Sequence, residues 1–524
     1  MWFASPRWLL AIAFALIVPG LFWGLPSAVT AQVDAPVPLG PLYFFAQYHN
    51  PQIDTIYPAF HQLLLLPLYA AAIGVYWVMG GISHLSSAWP YGMHNVSALF
   101  SALILLSNLV SAMMGLCMLY VAWRLAARSR SWGWTGVLVA ATNGVFVYYC
   151  RVGNLDIPYN FWWAVALFFL WKYFFQGATF AVSLLPAAIA SGCALGSKDQ
   201  AAGLVLGGGL AIMLFSTPQV SSFAKRFCNS ALFSFCFLTS YAAVAILPHP
   251  LRWWYHLLYI LADVAPTPIP RSPSGEWQTL LLTLGWLLKV FTIPVLALAA
   301  AGAVFLFRKR RGREFWVLVI PLLTYYVVAV APTRVFYPRF TIPFFIPVLV
   351  LVIHGSGFLA ERFFASPMAR VAWATALITY LAVQTGMSYV PVTYAQVFDM
   401  KRRLAQELPS VLSPGSPLLI SRMQSYNFPN LGVYESYRLM MLPQDPVAPP
   451  SRHAANLLHP LESSVPYFLW GSGNTGLPWN PMGDYPRLTG DLVREWRYPG
   501  WVKDHVLVPC IYEFALYRRT GPLP

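Results

Sequence analysis

Long apolar runs separated by short polar gaps dominate the first three quarters of this chain. They lie near residues 8–25, 57–79, 97–123, 132–149, 160–176, 179–196, 200–216, 229–247, 277–307, 315–331, 341–360 and 369–390. A helix needs about 20 apolar residues to cross a hydrocarbon core of roughly 30 Å. Inside lipid the backbone has to satisfy its own hydrogen bonds, so long continuous runs read as helices. The pattern changes after about residue 391. Charges of both signs appear and turns such as SPGSP and GSGNTG interrupt the chain. PLLIS (417–421) and FALYRR (514–519) read as strands, and FDMKRRLAQEL (398–408) reads as an amphipathic helix. The expected architecture is an all-α polytopic membrane bundle over residues 1–390, then a small α/β extracytoplasmic domain over 391–524. About 130 residues is within the usual domain size. No internal repeat and no long low-complexity segment is visible.

Composition agrees with this pattern. Of 524 residues, 58% are hydrophobic and 10% charged, and mean hydropathy is +0.57. A soluble domain carries roughly 25% charged residues, so polar surface is too scarce to coat a soluble protein of this size. The net charge of +15 would suit nucleic acid, but its placement assigns it to topology. The loops RLAARSR (124–130), AKR (224–226) and RKRRGR (308–313), with Lys172, Arg362 and Arg370, are strongly basic. Cytoplasmic loops attract such charge, so membrane lipids are expected as partners and nucleic acid is not.

No Lys or Arg occurs between Arg7 and Arg124. With both inside, only one of the runs 57–79 and 97–123 crosses. The first, with Pro58, His61 and Pro67 in its first half, is expected to lie along the membrane surface. About eleven crossings result, with the C-terminus outside, and the first run is read as a retained helix rather than a cleaved signal. Asp34, Asp54, Asp156, Asp199, Asp263 and Glu276 then fall in outward gaps, while Glu314 and Glu361 flank basic clusters. The six cysteines show no CxxC and no Cys/His zinc spacing, so neither a disulfide framework nor a zinc site is expected.

A carboxylate at a hydrophobic rim is costly unless partnered, and so is a functional candidate. Asp34 sits in TAQVDAPVP, Asp156 in CRVGNLDIPYN, Lys198 and Asp199 in GSKDQ, and Arg334 and Arg339 in PTRVFYPRFTIP, all on the outer side. An acid can take a proton from an incoming hydroxyl or amine. Cations can hold an anionic leaving group such as phosphate. Plainer readings stand beside each. Asp34 could be a solvated loop residue or a turn cap. Asp156 precedes Ile-Pro and could cap the next helix, because Asp before a first-turn proline is a common helix start. Lys198 could snorkel outward from a helix end, and Arg339 could only anchor the rim. His49, Asp54 and His61 are metal-ligand types without diagnostic spacing, so no cofactor is assigned and a divalent metal stays open. Lys289 falls inside a long apolar run: either it snorkels or the first part of that run lies on the surface.

The ordered set of motifs resembles a known family. An acidic residue follows the first helix, then come surface-lying helices, R-x-G-N-x-D-x-P at 151–158, a lysine opening the next outer loop, and P-R-F-x-x-P at 338–343. The set resembles the C-type glycosyltransferases of the protein O-mannosyltransferase and aminoarabinose transferase group, over roughly residues 8–360. In that family a polyprenyl-phosphate sugar enters from the outer leaflet and an acceptor displaces the lipid phosphate with inversion. The resemblance implies that Asp34 activates the acceptor and Asp156 supports the site. It also implies that Lys198 contacts the lipid phosphate and Arg339 contacts phosphate or sugar. Arg151, Arg334 and Tyr57 join them as candidate substrate-binding residues. Two departures stand out. Ala35 follows Asp34 where the family usually has Asp-Glu, and Ile56-Tyr57-Pro58 replaces a Glu-Lys-Pro.

The leading expectation is therefore a membrane glycosyltransferase that takes a polyprenyl-phosphate sugar and a lipid, glycan or protein acceptor. It would sit in a bacterial inner membrane with its active site facing the periplasm. The alternatives are a transporter or lipid flippase, motivated by Lys289, and a non-catalytic protein of the same fold, motivated by Ala35 and Tyr57.

Overall fold

The computed structural model describes residues 6–23, 25, 57–84, 92–217, 220–261, 269–270, 272–334, 337–364, 366–421, 438–442, 466–473, 490–508, 510 and 512–519. These fall into two compact units. One is drawn from Met1–Val18, Leu39–Ala70 and Ser107–Gly386, the other from Pro19–Pro38, Ala71–Leu106 and Met387–Pro524.

The helices in chain order are α1 (Pro6–Ile17), α2 (Phe60–Val78), α3 (Val96–Leu125), α4 (Gly133–Ala141), α5 (Gly144–Arg151), α6 (Asp156–Gln176), α7 (Leu184–Ser197), α8 (Ala201–Leu214) and α9 (Phe223–Tyr241). They continue with α10 (Pro250–Leu261), α11 (Pro273–Arg308), α12 (Gly312–Tyr325), α13 (Phe345–Phe363) and α14 (Pro367–Gln384). Among the described residues six helical segments are long and apolar enough to cross a membrane: Phe60–Val78, Ala98–Leu125, Phe223–Ile246, Pro273–Arg308, Gly312–Thr333 and Pro338–Phe363. With the composition, they make this an integral membrane protein.

Several apolar runs fold differently from the simple expectation. The run 132–149 is two short helices, because Asn143 stops α4 and caps α5, its Oδ1 accepting from Val145 N and Phe146 N at 3.0 and 3.2 Å. The runs 179–196 and 200–216 yield α7 and α8 of 14 residues each, about 21 Å by helical rise. The run expected to lie on the surface is one 19-residue helix, α2, with Pro67 inside it.

In the first unit α11 packs on α13, α6 on α7, and α8 on α12. Small residues let these backbones meet. A Cβ on Gly302 would stand 2.0 Å from the Leu351 carbonyl oxygen, and one on Gly355 only 1.9 Å from that of Leu298. α11 is broken at Thr292, whose φ of 59° and ψ of 158° are far from helical. The break is held from two sides. Asn143 Nδ2 donates to the freed Val290 carbonyl at 2.7 Å, and the Thr292 hydroxyl meets the Tyr380 hydroxyl at 2.5 Å.

The second unit carries α15 (Val390–Val397), α16 (Met400–Val411), α17 (Gly500–His505) and a five-stranded sheet. The strands are β1 (Pro417–Ser421), β2 (Arg438–Leu442), β3 (Tyr467–Gly473), β4 (Gly490–Trp496) and β5 (Tyr512–Arg519), in the order β2-β1-β3-β5-β4. β1 pairs parallel with β2 and β3, whereas β5 pairs antiparallel with β3 and β4. Asp399 caps α16 by accepting from Lys401 N at 3.0 Å. Leu404 and Leu408 of that helix join Leu418, Leu469, Val502, Phe514 and Leu516 in a buried core. Among the described residues no disulfide joins any of the six cysteines.

Candidate active site

The helical hairpin α6–α7 creates the central feature. α6 begins where α7 ends, so the first residue of one meets the residue after the other. Lys198 Nζ donates to Asp156 Oδ1 at 2.6 Å, and both side chains are buried. Each charge also suits its helix terminus, an anion at the start of α6 and a cation at the end of α7. The capping role open to Asp156 does not materialise. Asn154 Oδ1 instead accepts from Asp156 N at 2.6 Å, which leaves the Asp156 carboxylate for Lys198. Asp156 Oδ2 is buried without a hydrogen-bond partner among the described residues. Nor does Lys198 snorkel. Its ammonium turns inward and lies 5.6 Å from the ring centres of both Tyr57 and Tyr159.

The site extends in two directions from this pair. On one side Tyr159 neighbours Tyr325, which lies within electrostatic reach of both Asp156 and Arg339. Arg339 stacks over Tyr337 at 4.8 Å and Phe340 at 5.9 Å. On the other side the next residue of the same turn, Asp199, bonds His256 Nε2 at 3.0 Å. α10 carries this histidine, and one turn earlier Arg252 Nη1 donates to Gln62 Oε1 of α2 at 3.1 Å. His61, beside Gln62, is fully buried and neither ring nitrogen has a hydrogen-bond partner among the described residues.

The other candidates fall elsewhere. Arg151 is buried and donates from Nε to the Ile17 carbonyl at 2.9 Å and from Nη2 to that of Leu16 at 2.7 Å. It ties down the last turn of α1. Arg334 donates to Glu276 at 2.8 Å. Asp34, His49 and Asp54 lie outside the described residues, and among the described residues no group of three or more His, Cys, Asp or Glu is arranged to hold a metal. Sequence reasoning missed Arg252, His256 and Gln62, and missed the role of Asp199. The available signal was PLRWWYHLLYIL (250–261), whose cationic and imidazole groups recur at one-turn spacing on a short amphipathic helix.

Depth within the bundle follows from the helices. Arg313 donates to the carbonyls of Ser216 and Phe174 at 2.5 and 3.2 Å, and Arg226 donates to that of Leu214 at 2.6 Å. Two basic clusters therefore share the end of the bundle where α6 and α8 stop. Asp156 and Phe174 are 18 residues apart on α6, about 27 Å by helical rise. That is close to one hydrocarbon thickness, so the ion pair stands near the opposite rim. Lys289 is exposed, 5.1 Å from the Trp286 ring centre, and precedes the break of α11 at Thr292.

No family model and no curated protein matches this chain. Solved structures do. ArnT from Cupriavidus metallidurans in the apo state is similar at 12% identity, with 98% of each chain covered and a TM-score of 0.46. The Archaeoglobus fulgidus oligosaccharyltransferase is similar at 11% identity, with 89% of this chain and 69% of that one covered and a TM-score of 0.48. The arabinofuranosyltransferase AftD from Mycobacteria is similar at 16% identity, with 99% and 40% covered and a TM-score of 0.47. With each TM-score below 0.5 and each identity below 25%, what this chain does is read from its own residues.

Proposed function

We propose that this protein transfers a sugar from a polyprenyl-phosphate donor to an acceptor on the outer face of the membrane. The observation that carries the reading is the buried Asp156–Lys198 pair near the rim opposite the basic loops. Lysine has three donors. Asp156 accepts from one of them and offsets the cost of keeping an ammonium among apolar neighbours. Around the pair the described cations are Lys198, Arg252 and Arg339, three groups able to face an anion, and the described acids are Asp156 and Asp199. Lys198 would hold the lipid phosphate, with Arg339 as a second contact and the rings of Tyr57 and Tyr159 against the ammonium.

In the reaction the acceptor oxygen or nitrogen bonds to the anomeric carbon. The bond from that carbon to the phosphate oxygen breaks, and its electron pair leaves with the lipid phosphate. The acceptor proton goes to a carboxylate, assigned to Asp34 by the motif order. The phosphate leaves as a stable anion, so a positive clamp and one base suffice and no strong general acid is needed. The accompanying topology has about eleven crossings, with the C-terminal domain outside a bacterial inner membrane.

The test is transfer of radiolabelled sugar from a panel of polyprenyl-phosphate sugars in membranes, wild type beside Asp34→Asn. Transfer by the wild type that is lost in the variant supports the reading and identifies the donor. Transfer retained by Asp34→Asn removes Asp34 as the base. Specific donor binding without turnover by the wild type would favour the non-catalytic reading.

A further inference from the structure

The basic end of the bundle has its own geometry. α11 closes with Arg310 N donating to the Phe307 carbonyl at 3.0 Å and Arg311 N donating to that of Leu306 at 2.7 Å. This closure needs a left-handed residue, and glycine normally supplies it. Here Arg310 occupies it with φ 58°, although Gly312 stands two residues away. A bulky cation in a conformation that favours glycine points to a use for its charge.

The neighbouring cations divide into two kinds. Arg311 is paired with Glu314, the one acid within 305–316. Arg313 and Arg226 are committed to the carbonyls that end α6 and α8. These bonds bring the α11–α12 turn and the start of α9 to the same helix ends. Lys309, Arg310 and Lys225 remain exposed there, and residues 214–230 contain no acid. Exposed aromatics flank them: Phe223, Phe227, Phe307 and Trp316. Phosphate-binding cations beside membrane-facing rings are the two halves of a phospholipid contact.

We propose that Lys225, Lys309 and Arg310 form a binding site for the headgroup of an anionic glycerophospholipid of the bilayer, with its acyl chains along Phe223, Phe227 and Phe307. The site lies at the end opposite the Asp156–Lys198 pair and does not depend on which reaction that pair serves. A cation near an anionic membrane surface is worth roughly fivefold in affinity, so three give a preference on the order of 10²-fold over a zwitterionic lipid.

The experiment is native mass spectrometry of the full chain in neutral detergent, titrated with phosphatidylglycerol and with phosphatidylcholine. The wild type is expected to retain phosphatidylglycerol about 10²-fold more tightly, and K225Q/K309Q/R310G to lose that preference. R310G alone should lose about fivefold while its thermal stability is unchanged or higher, since glycine suits the position, which separates lost binding from lost fold. Equal retention of both lipids by the wild type overturns the proposal. So does an equal loss in R362Q/R370Q, which would mean a diffuse field and no site. Displacement of the lipid by millimolar inorganic phosphate would overturn the assignment to a lipid.

Discussion

Replacing either partner of the Asp156–Lys198 pair should be costly for the fold, and replacing both should not. The side chains are 0% and 4% exposed and the ions are 2.6 Å apart. Truncating one partner of a buried pair leaves an uncompensated charge and typically costs about 3–5 kcal/mol. In Asp156→Ala the ammonium keeps two ring contacts at 5.6 Å, which return roughly 0.5–2 kcal/mol between them. The expected loss is therefore about 3 kcal/mol. In Lys198→Ala the carboxylate keeps the N-terminal field of α6, and the loss should again be about 3 kcal/mol. The double variant D156L/K198M removes both charges at similar volume and should lie within roughly 1–2 kcal/mol of the wild type. The coupling energy is then about 4 kcal/mol or more. Equilibrium unfolding in mixed micelles measures the three stabilities, and native mass spectrometry with a polyprenyl phosphate measures ligand retention on the same samples. Stability should return in the double variant while lipid-phosphate binding does not. Additive losses, or a single variant within about 1 kcal/mol of the wild type, would refute the buried pair. Full binding by the double variant would refute the phosphate clamp.

Arg151→Met should cost about 2–4 kcal/mol through two lost bonds from a buried guanidinium, yet leave polyprenyl-phosphate binding within about twofold. A large binding loss at full stability would return Arg151 to the substrate site. At Thr292 the backbone lies in a region open mainly to glycine, worth roughly 1–3 kcal/mol of strain, against about 1 kcal/mol for the bond to Tyr380. Stability should therefore rank Thr292→Gly at or above wild type, and Thr292→Val about 2 kcal/mol below; the reverse order would show that the break is not strained. In the C-terminal unit burial pushes the Lys401 ammonium from 10.5 down to about 8. Its folded value lies below its unfolded value, so the unfolded chain binds more protons between about pH 8 and 10.5. Amide-exchange stability of the β1–β3 pairing should rise with pH across that window, and Lys401→Met should flatten the rise.

Elements coded by local pattern were legible in the sequence. PLLIS is β1, FALYRR lies within β5, and the amphipathic stretch at 398–408 overlaps α16 at 400–411. Their period, turns and caps are short-range properties. Asn143 shows where this fails. It lies inside one of twelve apolar runs, and its importance depends on a carbonyl 147 residues later whose helical partner would be the nitrogen of Pro294, which has no N–H, in a helix that breaks at Thr292. A broken helix and its distant cap have to be known together, and neither has a periodic signature. The same limit hid α10, because Arg252 meets a glutamine 190 residues away and His256 an aspartate 57 residues away.

The site itself was half legible for a related reason. A charge in an apolar chain announces that it has a partner, because burying it alone is too costly. Asp156, Lys198, Arg334, Arg339 and Arg151 were all visible on that ground. What each pairs with was not, and pairing decides function. Arg151 spends its guanidinium on carbonyls of α1 and Arg334 spends its own on Glu276. Asp156 and Lys198 bind each other, and Asp156 Oδ2 has no hydrogen-bond partner among the described residues. The same reasoning sorts the opposite rim. Arg313 and Arg226 are consumed by helix ends, whereas Lys225, Lys309 and Arg310 are exposed. In a chain with so few charges, functional candidates are the ones whose structural obligations leave hydrogen-bonding capacity over, and counting those obligations takes three-dimensional partners.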